Sequence, residues 1–313
     1  MRSFACWFSL LVTLQLGACT SLLFYPQREL VLTPDRVGLA YRDVWFKAAD
    51  GTRLHGWFLP AGMNVVRGEA CTVLFLHGNA ENISTHIGNV AWLPGKGYNV
   101  FLFDYRGYGR SAGEPSLPGL HLDAEAALAA VFTMTEVNSD RIVVFGQSLG
   151  GDIAITALAG SVYRHRIRAL VIEGAFSSYR GIVREKLAEL WLTWPVQWPL
   201  SLTIDNQYKP LEAIDRISPV PVLFIHGLLD RVVLPHHAEA LYAAAGEPRE
   251  LWLVPGAGHI QALRHTDAQQ RLLGYLAVHC NANGQRKDDV RRFRRRWRSC
   301  SRTYRNRSAE PNG

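Results

Sequence analysis

Ser148, Asp230 and His259 have the residue types, and the order along the chain, of a nucleophile, its orienting acid and its general base. A serine hydroxyl is a weak nucleophile by itself. An imidazole that takes its proton, held by a carboxylate, makes it able to attack a carbonyl carbon. The context of Ser148 is Gly146-Gln-Ser-Leu-Gly150, entered from the apolar run Ile142-Val-Val-Phe and left through Asp152-Ile-Ala-Ile-Thr-Ala-Leu-Ala. Strand, Gly-x-Ser-x-Gly and helix in succession predict a nucleophile elbow, a turn so sharp that the hydroxyl stands clear of the sheet. Glycines are required at 146 and 150 because a side chain at either would strike the neighbouring backbone.

The other two members each follow an expected strand. Asp230 comes just after Pro221-Val-Leu-Phe-Ile-His-Gly227, and His259 follows Arg249-Glu-Leu-Trp-Leu-Val and a turn with glycines at 256 and 258. Ligands and catalytic groups of open α/β sheets gather at the carboxyl ends of the strands. His265 and Asp267 are weaker substitutes, because they fall inside the next helical pattern, and Asp205 and Asp215 follow no strand. A fourth element is Val73-Leu-Phe-Leu-His-Gly-Asn-Ala-Glu-Asn82, a strand that ends in His-Gly. Its turn can direct the Asn79 N–H, rather than that of Ala80, at the site. With the Leu149 N–H at the helix start it would form an oxyanion hole. His77 reads as a brace for that loop. This chemistry calls for no metal and no cofactor.

Positioning these groups requires a sheet. Asp43–Lys47 and Arg53–Leu59 flank the turn signal Asp50-Gly51 and predict an antiparallel hairpin. Apolar runs at 72–77, 99–105, 141–147, 169–175, 220–226 and 249–254 do not alternate with polar residues, and helix-like stretches such as 121–134 separate them. Such strands belong in a parallel sheet covered on both faces. The expected domain runs from 43 to 280.

With Phe24-Tyr-Pro26 and Phe103-Asp-Tyr-Arg-Gly-Tyr-Gly-Arg-Ser111, these motifs resemble the α/β-hydrolase-fold serine hydrolases. The particular likeness is to a bacterial lipoprotein-type group with a His-Gly-Asn-Ala oxyanion loop. The resemblance implies an α/β fold with a mostly parallel eight-stranded sheet and helices on both faces. It also implies a Ser148–Asp230–His259 triad and hydrolysis of an ester or related acyl compound, without naming the substrate. Between the sixth and seventh core strands the family inserts a cap, here 178–215. Leu190-Trp-Leu-Thr-Trp-Pro-Val-Gln-Trp-Pro places three of the nine tryptophans there. They either line an acyl pocket or hold the cap to the body.

The termini bear on location. Arg2 and the apolar stretch Phe4–Leu16 suit a signal peptide, residues 1–18, and are too short to span a bilayer. Leu16-Gly-Ala-Cys19 resembles the lipobox of bacterial lipoproteins, which implies that Cys19 becomes a lipidated first residue and that 19–42 forms an anchored linker. Thr20 is not the aspartate that retains such proteins at the inner membrane of enteric bacteria. In a Gram-negative host the expectation is therefore the outer membrane, facing the periplasm. Cys71 reads as buried and inert, and Cys280 could pair with Cys300 in an oxidising compartment. Residues 281–313 carry eleven basic against three acidic residues, whereas the whole chain has a net charge of +7. This tail reads as disordered, able to lie on an anionic lipid surface or simply solvated. Nucleic acid suits the same charge, but an exported protein rarely meets it. The reading is thus a membrane-anchored serine hydrolase acting on a small ester or acyl substrate. The alternatives are a catalytically silent binding or scaffolding lipoprotein of the same fold, or an acyltransferase.

Overall fold

The computed structural model describes residues 24–62, 65–66, 68–189, 191–204 and 207–280. The expected signal peptide, Cys19, the basic tail and Asp205 lie outside the described residues.

The main sheet has eight strands: β1 (Arg42–Lys47), β2 (Arg53–Leu59), β3 (Cys71–Leu76), β4 (Tyr98–Asp104), β5 (Ile142–Gln147), β6 (Ile167–Glu173), β7 (Val222–Gly227) and β8 (Arg249–Val254). They lie in the order β8-β7-β6-β5-β3-β4-β2-β1. β1 with β2 and β2 with β4 pair antiparallel, and the remaining neighbours are parallel. The expected hairpin and all six expected apolar strands are present, with ends shifted by no more than a few residues. The principal helices are α1 (Leu117–Thr133), α2 (Leu149–Gly160), α3 (Tyr179–Ala188), α4 (His236–Ala244) and α5 (Thr266–Cys280).

The non-alternating strands follow from burial on both faces. Leu74, Phe101, Phe103, Val144, Leu170 and Phe224 pack toward α1, α2 and α4, while the residues between them, such as Phe75, Leu102, Val143 and Val171, pack with α5. Each such side chain, fully buried, contributes roughly 1.5–3 kcal/mol, so a polar residue on either face of a central strand would be costly. Alternation survives on the edge strand β1, where Val44 is buried between the exposed Asp43 and Trp45. α1 starts where Ser116 accepts a hydrogen bond from the Gly119 N–H, with a proline in the first turn. Ser178 caps α3 in the same way through the Gly181 N–H.

Three features depart from expectation. First, the body begins before Asp43. Phe24 is buried, Tyr25–Pro26 pairs in parallel with Ala80–Glu81, and the Asn82 side chain donates to the carbonyls of Gln27 and Glu29. Second, Cys71 is not a free thiol. It is bonded to Cys280, with Cα atoms 5.7 Å apart, so Cys280 is not available to Cys300. The bond ties the start of β3 to the end of α5. Third, the cap is the small helical one that the resemblance implies, built from α3, a short helix Gln197–Leu202 and a further turn at Pro210–Ala213, but its tryptophans are placed otherwise. Its tryptophans neither line a pocket nor bind it to the body: Trp191, Trp194 and Trp198 are 86%, 60% and 60% exposed. The cap is seated by other apolar groups, Tyr179 and Ile204 being buried in the core and Ile182 and Val183 packed against it, and polar contacts tie its pieces to one another. Arg180 donates to the Ile204 carbonyl, and the Arg184 guanidinium stacks 3.9 Å from the centroid of the Trp198 ring.

The disulfide closes a loop spanning 209 residues of sequence, long enough for a crosslink to restrict the unfolded chain substantially. Cys280→Ser should therefore lower unfolding stability by about 2–4 kcal/mol in urea without reductant, and reductant should bring the wild type down to the variant. Equal stability of the two proteins under oxidising conditions would mean that the crosslink contributes nothing.

Candidate active site

β5 ends at Gln147 and α2 begins at Leu149, leaving Ser148 alone to make the turn, at φ 51° and ψ −123°. A Cβ at Gly146 would lie 2.4 Å from the Gly150 carbonyl oxygen, and one at Gly150 would lie 2.2 Å from the Leu76 carbonyl oxygen. Neither contact involves a flexible side chain that could move aside. Both glycines are thus fixed by close approach of backbone, as the sequence led one to expect.

Ser148, Asp230 and His259 come together at the carboxyl edge of the sheet, from β5, β7 and β8. Ser148 Oγ lies 3.1 Å from His259 Nε2, and His259 Nδ1 lies 2.8 Å from Asp230 Oδ2. With Nδ1–H donating to the carboxylate, Nε2 is left to accept the serine proton. Asp230 is buried, while His259 retains partial exposure. Burial alone would raise the Asp230 carboxyl. It is outweighed by hydrogen bonds from His226 and His259 and by the N–H groups of Val232 and Val233, so this carboxyl stays ionised well below the ordinary range. His265 and Asp267 stand at the start of α5, and Asp215 lies exposed in a 3-10 turn, each apart from this group.

The loop after β3 carries Asn79 beside the elbow, where the Tyr108 hydroxyl donates to the Asn79 carbonyl at 2.7 Å. Leu149 opens α2, where the first N–H groups of a helix have no partner within it. His77 is wholly buried. Its Nδ1–H donates to the Gly78 carbonyl at 2.7 Å, and burial holds its pKa well below the ordinary imidazole range, so it stays neutral.

Sequence reasoning passed over the residues that join these loops. The Asn89 side chain donates to Gln147 Oε1 (2.8 Å), Gln147 Nε2 donates to Glu173 (2.6 Å), and Glu173 accepts in turn from the Ala262 N–H (2.9 Å). The Glu173 carbonyl also accepts from the Ser148 N–H. One chain of hydrogen bonds, buried from Gln147 onward, thus runs from Asn89, through the elbow, to the histidine loop. Its only signal in the sequence is polar residues closing two otherwise apolar strands. A cleft of about 310 Å³ opens alongside, lined by Glu81, His86, Asn89, Ile260 and Arg264.

Glu185, His236 and His237 form the one metal-ligand-like group among the described residues. The two Nε2 atoms lie 3.2 and 3.0 Å from the carboxylate oxygens. However, His237 Nδ1 accepts from the Ser177 N–H, which places its proton on Nε2, where it donates to Glu185. This tautomer describes a hydrogen-bonded clasp between α3 and α4, in which His237 Nε2 has no lone pair to offer a cation.

Known proteins share this architecture. A family profile described as "Serine aminopeptidase, S33" matches residues 69–211, a span that includes Ser148 and stops short of Asp230 and His259. The protein YfhR of Escherichia coli O157:H7 is 39% identical over 256 residues, covering 81% of this chain and 86% of its own. The α/β-hydrolase domain-containing protein WAV2 of Arabidopsis thaliana is 37% identical over 222 residues, covering 68% of this chain and 70% of its own. The chain belongs to the α/β-hydrolase family. The Pyrococcus furiosus esterase Pf2001 shares the fold, with a TM-score of 0.65 at 24% identity over 83% of this chain and 98% of its own. Among α/β-hydrolases the strand order found here places the elbow at the centre of the sheet, after β5, with neighbours on both sides to supply the other groups.

One turn beyond Ser148, Asp152 is fully buried in α2. Burial raises its carboxyl well above the ordinary range, opposed only in part by the Phe176 backbone, so it keeps its proton where an exposed aspartate would ionise. A folded-state pKa above the unfolded value gives stability that is complete below about pH 4 and lost as pH rises toward the folded value. Asp152→Asn, which cannot ionise, should remove that loss. Urea unfolding at pH 4 and pH 8 should show a smaller decline for the variant than for the wild type. Identical slopes would mean that Asp152 ionises normally.

Proposed function

We propose that this α/β-hydrolase is a serine hydrolase that cleaves a carboxylic ester through an acyl-enzyme. The observation that carries the reading is the unbroken hydrogen-bonded line from Ser148 Oγ through His259 to Asp230. Ser148 attacks the acyl carbon as His259 Nε2 takes its proton, and Asp230, ionised, stabilises the imidazolium. The tetrahedral oxyanion is held by the N–H groups of Leu149 and Asn79, with the positive end of α2 behind it. His259 then protonates the leaving alcohol, a water attacks the acyl-serine by the same route in reverse, and the acid departs. The charged and polar lining of the cleft between the oxyanion and histidine loops suits the alcohol side of the ester. An amide is the second reading, favoured by the aminopeptidase description of the matching family. A thioester would use the same groups.

Ser148→Ala should lower kcat by about 10⁶, and Asp230→Asn by about 10⁴, on p-nitrophenyl esters of graded chain length. A fluorophosphonate probe should label the wild type and not Ser148→Ala. Substantial residual activity in Ser148→Ala would exclude it as the nucleophile. A mild effect at Asp230 would mean that its carboxylate is not what orients His259.

The enzyme would be exported and anchored through a lipidated Cys19, in the cell envelope and at the periplasmic face of the outer membrane in a Gram-negative host. The lipobox-like Leu16-Gly-Ala-Cys19 supports this, as does the Cys71–Cys280 disulfide, since such bonds persist in oxidising compartments. A palmitate analogue fed to cells should tag the wild type and leave Cys19→Ala untagged. Equal tagging of both would place the lipid elsewhere.

A further inference from the structure

The cap and the loop that carries Asp230, joined to each other, both expose large apolar side chains to solvent. Trp191, Leu192, Trp194 and Trp198 are exposed on the cap, and Leu229 and Val232 are exposed on the loop. The two segments are joined, because Lys186 of α3 donates to the Arg231 carbonyl while Glu185 meets His236 and His237. A soluble surface rarely gathers this many large apolar groups without a partner. Packing does not account for them. The cap is seated on the body through Tyr179, Ile182, Val183 and Ile204 instead.

Three observations select the partner. Tryptophan is the side chain suited to the boundary between water and lipid, with an apolar ring and a polar N–H, and three of them stand here within eight residues. Basic side chains accompany these residues, with Arg184 stacked on Trp198 and Lys186 bonded to the Arg231 carbonyl beside Val232, and such charge attracts anionic headgroups. The third observation is where the described chain begins. Tyr25–Pro26 pairs with Ala80–Glu81 on the oxyanion loop, so the N-terminus emerges at the carboxyl edge of the sheet, the edge that also bears the cap. Phe24 is the fifth residue after Cys19, and a fully extended chain over those five steps reaches about 17 Å.

We propose that the exposed face of the cap and the 228–234 loop is an interfacial docking surface for a lipid bilayer, and that the ester cleaved at Ser148 is presented from that bilayer. The second half rests on the serine-hydrolase reading given above. A lipid on Cys19 would hold the active-site edge within one short tether of the membrane. The tryptophan face then sinks roughly 5–10 Å into the headgroup region, and an acyl chain enters beside Asp230 without crossing water.

The full-length protein should be mixed with phosphatidylethanolamine vesicles containing phosphatidylglycerol and nitroxide-labelled acyl chains, and its tryptophan fluorescence followed. Wild type and Ser148→Ala should both be quenched. The combined variant Trp191→Ser, Trp194→Ser and Trp198→Ser should lose most of that quenching, with Trp191→Ser alone as the milder test of the same surface. Turnover of a long-chain ester embedded in the vesicles, relative to a soluble short-chain ester, should fall about tenfold or more in the combined variant, since one large side chain withdrawn from an apolar site is worth that much. No quenching of the wild type overturns the docking surface, as does quenching that survives all three replacements. Self-association through the patch in sedimentation, without quenching, overturns it in favour of a second copy. Quenching that follows the tryptophans with neither ester hydrolysed upholds the surface and overturns the substrate assignment alone.

Discussion

The close approach of three pieces of backbone around Ser148 is the constraint on which the site depends. β5 enters the turn, α2 leaves it, and the end of β3 lies against both. A Cβ at Gly146 or Gly150 would sit within 2.4 Å of a carbonyl oxygen that cannot move without shifting a strand or a helix. That contact fixes the elbow against the same β3 whose continuation is the oxyanion loop. The position of Ser148 relative to the loop that carries Asn79 is thus set by main-chain packing at the centre of the sheet. Centrality matters for the same reason: β5 has β3 on one side and β6 on the other, so the groups that serve Ser148 arrive from both directions.

The rest of the site is held by polar groups buried for that purpose. Glu173 links the backbone of the elbow to the loop bearing His259, and Gln147 links Glu173 to Asn89 on the other side. Burial pushes the Glu173 carboxyl upward, and its hydrogen bonds to Gln147, Ala262 and Leu263 oppose that shift. Asp230 shows the opposite balance, with enough donors around it to keep its charge despite burial. Two buried carboxylates within one site are therefore tuned in opposite directions by the number and kind of donors each collects. The Asp230 charge faces His259, and Glu173 serves as a joint between loops.

Most of this arrangement was legible in the sequence, because it is written locally. Strand, turn and helix around Ser148 are contiguous, and Asp230 and His259 follow apolar runs that can only be buried strands. The Cys71–Cys280 bond was not legible, since only the packing of α5 beside β3 brings its ends together and any of the cysteines could have been its partner. The hydrogen-bonded line through Gln147 was hidden because Gln147 occupies a position where the motif accepts any residue. The tryptophans of the cap misled for a different reason. An apolar run has the same composition whether it faces a core, a pocket or solvent, and the exposure of Trp191 is settled only by how α3 and Gln197–Leu202 fold back on each other.

The backbone of Ser148 has a further consequence. At φ 51° and ψ −123° it occupies a region that a residue with a Cβ seldom enters, and holding it there costs on the order of 1–3 kcal/mol. Glycine would adopt the same angles freely, so the most stable sequence for this turn is one without a hydroxyl. Stability and reactivity pull in opposite directions at this one position. If the proposed chemistry is right, substitutions selected for thermal resistance alone would tend to remove the hydroxyl it needs, and the surrounding core must carry enough surplus stability to keep the strained serine in place.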